Sequence, residues 1–183
     1  MTLETEAGSP VMEAALSLLQ AGAGLRCRVG LSARVFMREV LGLDDAYIEG
    51  TVSTVFLDSE PVDDIDAAMV RDGSRLALSA AMPGLVGAVM RRNSPYASFR
   101  EGISHGREAA SPTDAAGEEG FVIVKLFNSV MRDRGPALLA RGVLAPGAAA
   151  AELARSAGLP PPAAAEGDDL VELRVLSRIG GAG

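Results

Sequence analysis

The stretch that decides the fold is Leu25 to Pro83, LRCRVGLSARVFMREVLGLDDAYIEGTVSTVFLDSEPVDDIDAAMVRDGSRLALSAAMP, which alternates strand, helix, strand and strand signals with clear punctuation. Leu25, Cys27 and Val29 alternate with Arg26 and Arg28, the period of a strand with one buried and one wet face, and Gly30 ends the run. Ser32 then stands as the N-cap of a helix whose Val35, Phe36, Val40 and Leu41 share one face, and Gly42, Asp44 and Asp45 close it. The run Thr51 to Leu57 is rich in β-branched residues and has large apolar side chains on both faces, which predicts a strand at the centre of a sheet. Asp72-Gly73 makes a tight turn into a further strand, where Leu76 and Leu78 alternate with Arg75, Ala77 and Ser79 until Met82-Pro83-Gly84 stops it.

Upstream, Thr2 to Gly8 reads as a frayed lead-in, and Ser9-Pro10 opens a helix carrying Val11, Ala15, Leu18 and Leu19 at helical spacing. A strand over Ala14 to Leu19 is the alternative for the segment Val11 to Gln20. Downstream, Leu85, Val86, Val89 and Met90 suit a short helix or an edge strand, and Tyr96 and Phe99 suit the core or an interface. From Arg100 to Gly120 the chain turns polar, as a loop does. Phe121 to Phe127 is a β-rich run, Asn128 to Gly135 a short helical or irregular piece, Ala137 to Leu144 apolar again, and Ala148 to Ala157 an alanine-rich helix ending at Gly158. After the stiff Pro160-Pro161-Pro162 break, Leu170 to Val175 predicts a strand with Glu172 and Arg174 outward. The expected class is α+β, a mixed sheet with packed helices. Its parts are a core over 9–99, a flexible polar loop over 100–120, and an α+β segment over 121–183 that adds strand and helix to the same sheet.

Composition narrows the function. Hydrophobic residues make up 48% of 183, enough for a real core, whereas aromatics are only 4% and tryptophan is absent. Small aliphatic side chains must therefore fill the interior. A net charge of -7 argues against a nucleic-acid or anionic-membrane surface, and the Arg91-Arg92 pair does not reverse it. Lys125 is the sole lysine, as in a GC-rich bacterial sequence, and it lies in an apolar run rather than behind a phosphate-binding glycine loop. Met1 to Glu6 carries two glutamates and no cation, so no secretion signal is expected, and no run reaches the length of a membrane span. The expected location is cytoplasmic.

Few residues carry recognisable chemistry. Cys27, the single cysteine, falls on the inward face of its strand and reads as an inert core thiol. Asp58, Glu60, Asp63, Asp64, Asp66 and Asp72 form an acidic cluster in which Asp63, Asp64 and Asp66 are the candidate ligands for a hard cation. The competing expectation is a solvated acidic loop, since the spacing lacks the central glycine and closing glutamate of an EF-hand. His105, the one histidine, adjoins Ser104, but neighbouring residues point apart and no nucleophile elbow is present, so a solvated loop histidine is expected. No cofactor is called for.

Gly30-Leu31-Ser32, the helix end Val40-Leu41-Gly42-Leu43, the strand Val55-Phe56-Leu57-Asp58 and the turn Arg71-Asp72-Gly73-Ser74 together resemble the β-grasp, or ubiquitin-like, fold. The nearest likeness is to the small sulfur-carrier proteins of thiamine and molybdopterin synthesis, over roughly a third of the chain. A β-grasp opens with a hairpin, whereas the segment before Leu25 here reads as a helix. The resemblance also implies a diglycine tail whose lack of side chains lets it enter an activating enzyme, for which Gly180-Gly181 is the candidate once Ala182 and Gly183 are removed. A frayed Gly/Ala tail is the competing expectation.

Three functions follow as expectations. The first is a non-enzymatic protein acting through a small ligand, a protein partner or a second copy of itself. The second is a carrier-like precursor working through Gly180-Gly181, and the third a metal-dependent enzyme built on the cluster Asp58 to Asp72.

Overall fold

The computed structural model describes residues 1–81, 84–92, 94–95, 117–162 and 169–178. In chain order the elements are β1 (Thr2–Glu6), α1 (Pro10–Ala21), β2 (Ala23–Arg28), β3 (Leu31–Ser32), α2 (Ala33–Glu39), α3 (Asp45–Gly50), β4 (Thr54–Leu57) and β5 (Glu60–Pro61). They continue with β6 (Met69–Val70), β7 (Arg75–Ser79), α4 (Gly84–Met90), β8 (Glu119–Phe127), α5 (Asn128–Arg141), β9 (Val143–Pro146), α6 (Gly147–Ser156) and β10 (Leu170–Arg178). The class is α+β, around one mixed sheet of order β1-β10-β9-β2-β8-β7-β4-β5, with β3 and β6 pairing separately.

Strand β8 holds this order together. It runs antiparallel to β2, where Ala23 pairs with Val124, and parallel to β7, where Leu76 pairs with the same Val124. The Asp-Gly turn before β7 fixes that register. Gly73, at φ 77°, donates from its amide to the Phe121 carbonyl at 2.7 Å, and the Phe121 amide donates to Asp72 Oδ1 at 2.7 Å. Only a residue tolerant of positive φ turns the backbone there without strain. Alternation then sorts the side chains. Val122, Val124 and Leu126 of β8 are buried with Leu76 and Leu78 of β7, Val55 and Leu57 of β4, and Leu173 and Val175 of β10.

Helices cover this buried face. Ser9 caps α1 by accepting from the Met12 amide, Pro10 occupies its first turn, and Met12, Ala15, Leu16 and Leu19 are its buried side. Helix α5 lies against α1, so close that a Cβ on Gly135 would stand 2.5 Å from Leu16 Cδ2. Ser32 caps α2 by accepting from the Val35 amide, and α2 buries Phe36 and Met37. Arg141, at the end of α5, donates to the Val40 carbonyl at 2.6 Å and so ties the later half of the chain to the earlier.

Several sequence expectations change. Thr2 to Gly8 is no lead-in: β1 pairs parallel with β10 and buries Leu3, a partner 172 residues away that local pattern does not reveal. Val11 to Gln20 is helix, which decides between the two alternatives. The Thr51–Leu57 run contributes β4, which has only the two-residue β5 beyond it, so β8 and not β4 sits amid the sheet. Asp44 and Asp45 do more than close α2, for Asp44 caps a further helix, α3, by accepting from the Tyr47 amide. Asn128 to Gly135, expected as a short helical or irregular piece, is helical, and it runs on through the expected separate apolar run as the single helix α5, followed by β9. Gly135 and Pro136 look like helix breakers, but contact with α1 outweighs their propensity. Met82, Pro83, Tyr96, Phe99 and most of the expected polar loop lie outside the described residues.

The β4–β5 hairpin turns on Asp58 (φ 53°) and Ser59 (φ 75°), a two-residue loop with both central residues left-handed. Asp58 is anchored, accepting from the Arg75 amide at 2.7 Å. Ser59 bears the steric penalty of an L side chain in that region, about 1–2 kcal/mol, against an entropic cost of about 0.5–1 kcal/mol for glycine. Ser59→Gly is accordingly expected to raise the unfolding free energy by about 0.5–1 kcal/mol in urea titration. An unchanged or lowered midpoint contradicts the strained turn.

Candidate functional site

On the sheet's second face, among the described residues, apolar surface coincides with a buried polar group that lacks a partner. Strand register sets three cross-strand rows there: Thr54–Ser79–Phe127, Phe56–Ala77–Lys125, and Arg75–Ile123. Ala77 is the small residue in the middle. Its short side chain leaves a groove of about 700 Å³, floored by these rows and bordered by Val86 and Met90 of α4, by Ser59 and by Asn128. That volume falls within the roughly 300–1,000 Å³ range of small-molecule sites.

Polar groups gather at one end. The Asn128 amide donates to Ser79 Oγ at 3.0 Å, and Ser79 Oγ donates to the Ala80 carbonyl at 3.0 Å. Thr54, only 1% exposed, has a buried hydroxyl without a hydrogen-bond partner. Such a group costs about 1–3 kcal/mol of stability. Asn128 also begins α5, whose positive dipole end therefore opens on the groove.

The groove's charge is opposite to that of the chain. Among the described residues Arg75 and Lys125 line it and no carboxylate does, although the net charge of the protein is -7. Lys125 makes no ion pair among the described residues; its aliphatic stem passes beside Gly22, where a Cβ would stand 3.2 Å from Cε. The nearby Asp58 carboxylate is committed to the Arg75 amide at 2.7 Å and the Ser74 hydroxyl at 3.3 Å. Sequence reasoning passed over Lys125 because it lay in an apolar run. The available signal was a lone cation at an outward position of an alternating strand.

The acidic residues serve other ends. Asp64 Oδ1 accepts from the Asp66 and Ala67 amides, Asp66 pairs with Arg34 at 2.7 Å, and Asp72 holds the start of β8. Among the described residues no group of three His, Cys, Asp or Glu side chains could hold a metal ion. Arg34 also reaches Glu49 at 2.7 Å and Asp45 at 3.7 Å, and its hydrogen bonds to Asp66 and Glu49 push its pKa further upward. Arg92, with its side chain 8% exposed, donates to the Val52 and Ile48 carbonyls and lies 3.6 Å from Glu49. This network lines a polar hollow of about 360 Å³ with Asp63, Asp64 and Asp66, and it fastens α2, α3 and the 63–66 turn together. A comparable link joins α3 to α5: Tyr47 donates to Asp133 Oδ2 at 2.8 Å under the Arg134 guanidinium, 4.2 Å from the ring centre. Burial first, then the Asp133 hydrogen bond, pushes the Tyr47 hydroxyl up to about 12.

His105, Gly180 and Gly181 lie outside the described residues. Among those described, no helix is long and apolar enough to cross a membrane. No known protein family, curated protein or solved structure matches the chain. What the geometry defines is a mixed α+β protein with a cation-lined apolar groove on its half-buried sheet face.

Cys27 lies on the opposite, helix-covered side of the sheet, half-buried. Burial and then Glu119 push its thiol up to about 11, while Arg141 pulls the other way. The neutral thiol is therefore favoured by folding, and this contribution to stability holds below pH 9 and is lost as pH rises towards 11. Thiolate absorbance is expected to titrate with a midpoint near 11, with slow alkylation at pH 8. A midpoint at the ordinary thiol value would contradict this environment.

Proposed function

We propose that this protein works by binding rather than by catalysis, through the groove over β4, β7 and β8. The observation that carries it is the conjunction in one groove of apolar walls, two cations and the buried, unpartnered Thr54 hydroxyl. Catalysis has less support, since Asp64 and Asp66 are engaged by backbone amides and Arg34. The protein is read here as cytoplasmic, with a small molecule, a protein partner or a second copy of the chain as its counterpart.

The β-grasp likeness is kept within the same proposal, in a permuted order. The strands β2-β8-β7-β4-β5 would form its sheet, with α2 as the helix between its strands. The opening hairpin would be the antiparallel pair β8 and β2, built from strands far apart in sequence, so that what opens a β-grasp closes the unit here. The carrier alternative draws on this likeness too. However, β7 is followed by α4 and not by a glycine tail, and Gly180-Gly181 follow β10, with β9, β2 and β8 between β10 and β7. Binding through the groove is therefore the preferred function.

A fragment screen read by amide and methyl NMR shifts tests it. Hits are expected to perturb residues 54–59, 75–79 and 123–128 together, and Ala77→Leu, which fills the groove, to abolish those shifts. Hits confined to other surfaces, or shifts untouched by Ala77→Leu, would refute the groove as the working site.

A further inference from the structure

Resting on that proposal, we infer that the groove takes a small amphipathic carboxylate, its apolar body over Ala77 and its anionic head on Lys125. Three observations select this class. The first is the order of the floor: Phe56, Ala77 and Lys125 form one continuous cross-strand row, so an apolar stretch leads directly to a cation. Phe127 and Val86 extend the apolar surface to either side. A ligand matching this row is apolar along most of its length and anionic at one end.

The second is the state of the cation. Among the described residues Lys125 has no carboxylate partner and the groove has no acidic lining, whereas Arg28 and Arg34 are both paired with carboxylates. An ammonium in such a place attracts an anion with little competition from the protein, and the surrounding apolar surface strengthens the contact by excluding water. The third is that the described lining offers no acid to match a cationic or zwitterionic head. An ammonium group on the ligand would meet Lys125 and Arg75 alone, and like-charge juxtaposition disfavours it. Carboxylate is preferred to a doubly charged head because a single lysine stands at the end of the row, while Arg75 lies one row further along.

Octanoate and 1-octanol, which share a tail and differ in charge, are the probes, titrated below micelle formation against wild type, Lys125→Met and Ala77→Leu. Lys125→Met keeps the stem beside Gly22 and removes only the charge. Octanoate is expected to shift the resonances of residues 75–79 and 123–128 with an affinity at least tenfold above octanol. Lys125→Met should erase that margin while leaving octanol binding unchanged, and Ala77→Leu should weaken both. Equal binding of acid and alcohol in wild type, or a margin that survives Lys125→Met, overturns the carboxylate assignment and leaves the groove proposal standing. Octanoate shifts scattered over the surface also overturn it. If neither probe nor any fragment perturbs the groove, both proposals fall.

Discussion

The double pairing of β8 is the constraint on which the rest of the structure depends. Residues 119–124 pair with β2 on one side and 123–127 with β7 on the other, and among the described strands no other bridges the two halves of the sheet. The parallel edge to β7 cannot form until the long connection after α4 has returned, so the chain must close a loop before the contact rewards it. Asp72 and Gly73 lower that difficulty by holding the Phe121 amide and carbonyl at the strand's start. Once β8 is seated, its inward valines complete the core under α1 and α5. Its outward residues become the groove floor.

The proposed binding function rests on the inequality of the two faces. Helices α1, α5 and α6 bury the side bearing Val122, Val124 and Leu126, whereas the side bearing Ile123, Lys125 and Phe127 stays only half-buried. Edges are managed separately. β5 is two residues long and ends in Pro61, and β1 carries Glu4 and Glu6, so neither border invites a further strand. The proposed binding is thereby assigned to the half-buried face. There a small residue, Ala77, and a cation, Lys125, share one row.

Much of the first half was legible in sequence because its signals are local. Ser9-Pro10, Ser32 and Asp72-Gly73 each act within a few residues of themselves, and the structure uses all three as caps or turn. What escaped depended on distant partners. Thr2–Glu6 is a strand only because β10 lies beside it, and Gly135-Pro136 is helical only because Leu16 and Leu19 pack on Gly135. The candidate site suffered most. The acidic cluster drew attention by density, yet each of Asp64, Asp66 and Asp72 is engaged by the nearest amide or arginine. Lys125 and Thr54 gave no density signal at all, since strand register alone places them over one groove.

Native-state hydrogen exchange is the most direct test of β8 as the common strand. The amides of β2, β7 and β8 are predicted to be among the slowest in the protein and to open together, with one free energy that shifts in concert as urea is added. Independent opening of residues 54–79 at a lower free energy, with β8, β9 and β10 still protected, would contradict it. The sheet would then be two units in contact, and the groove floor a seam between them.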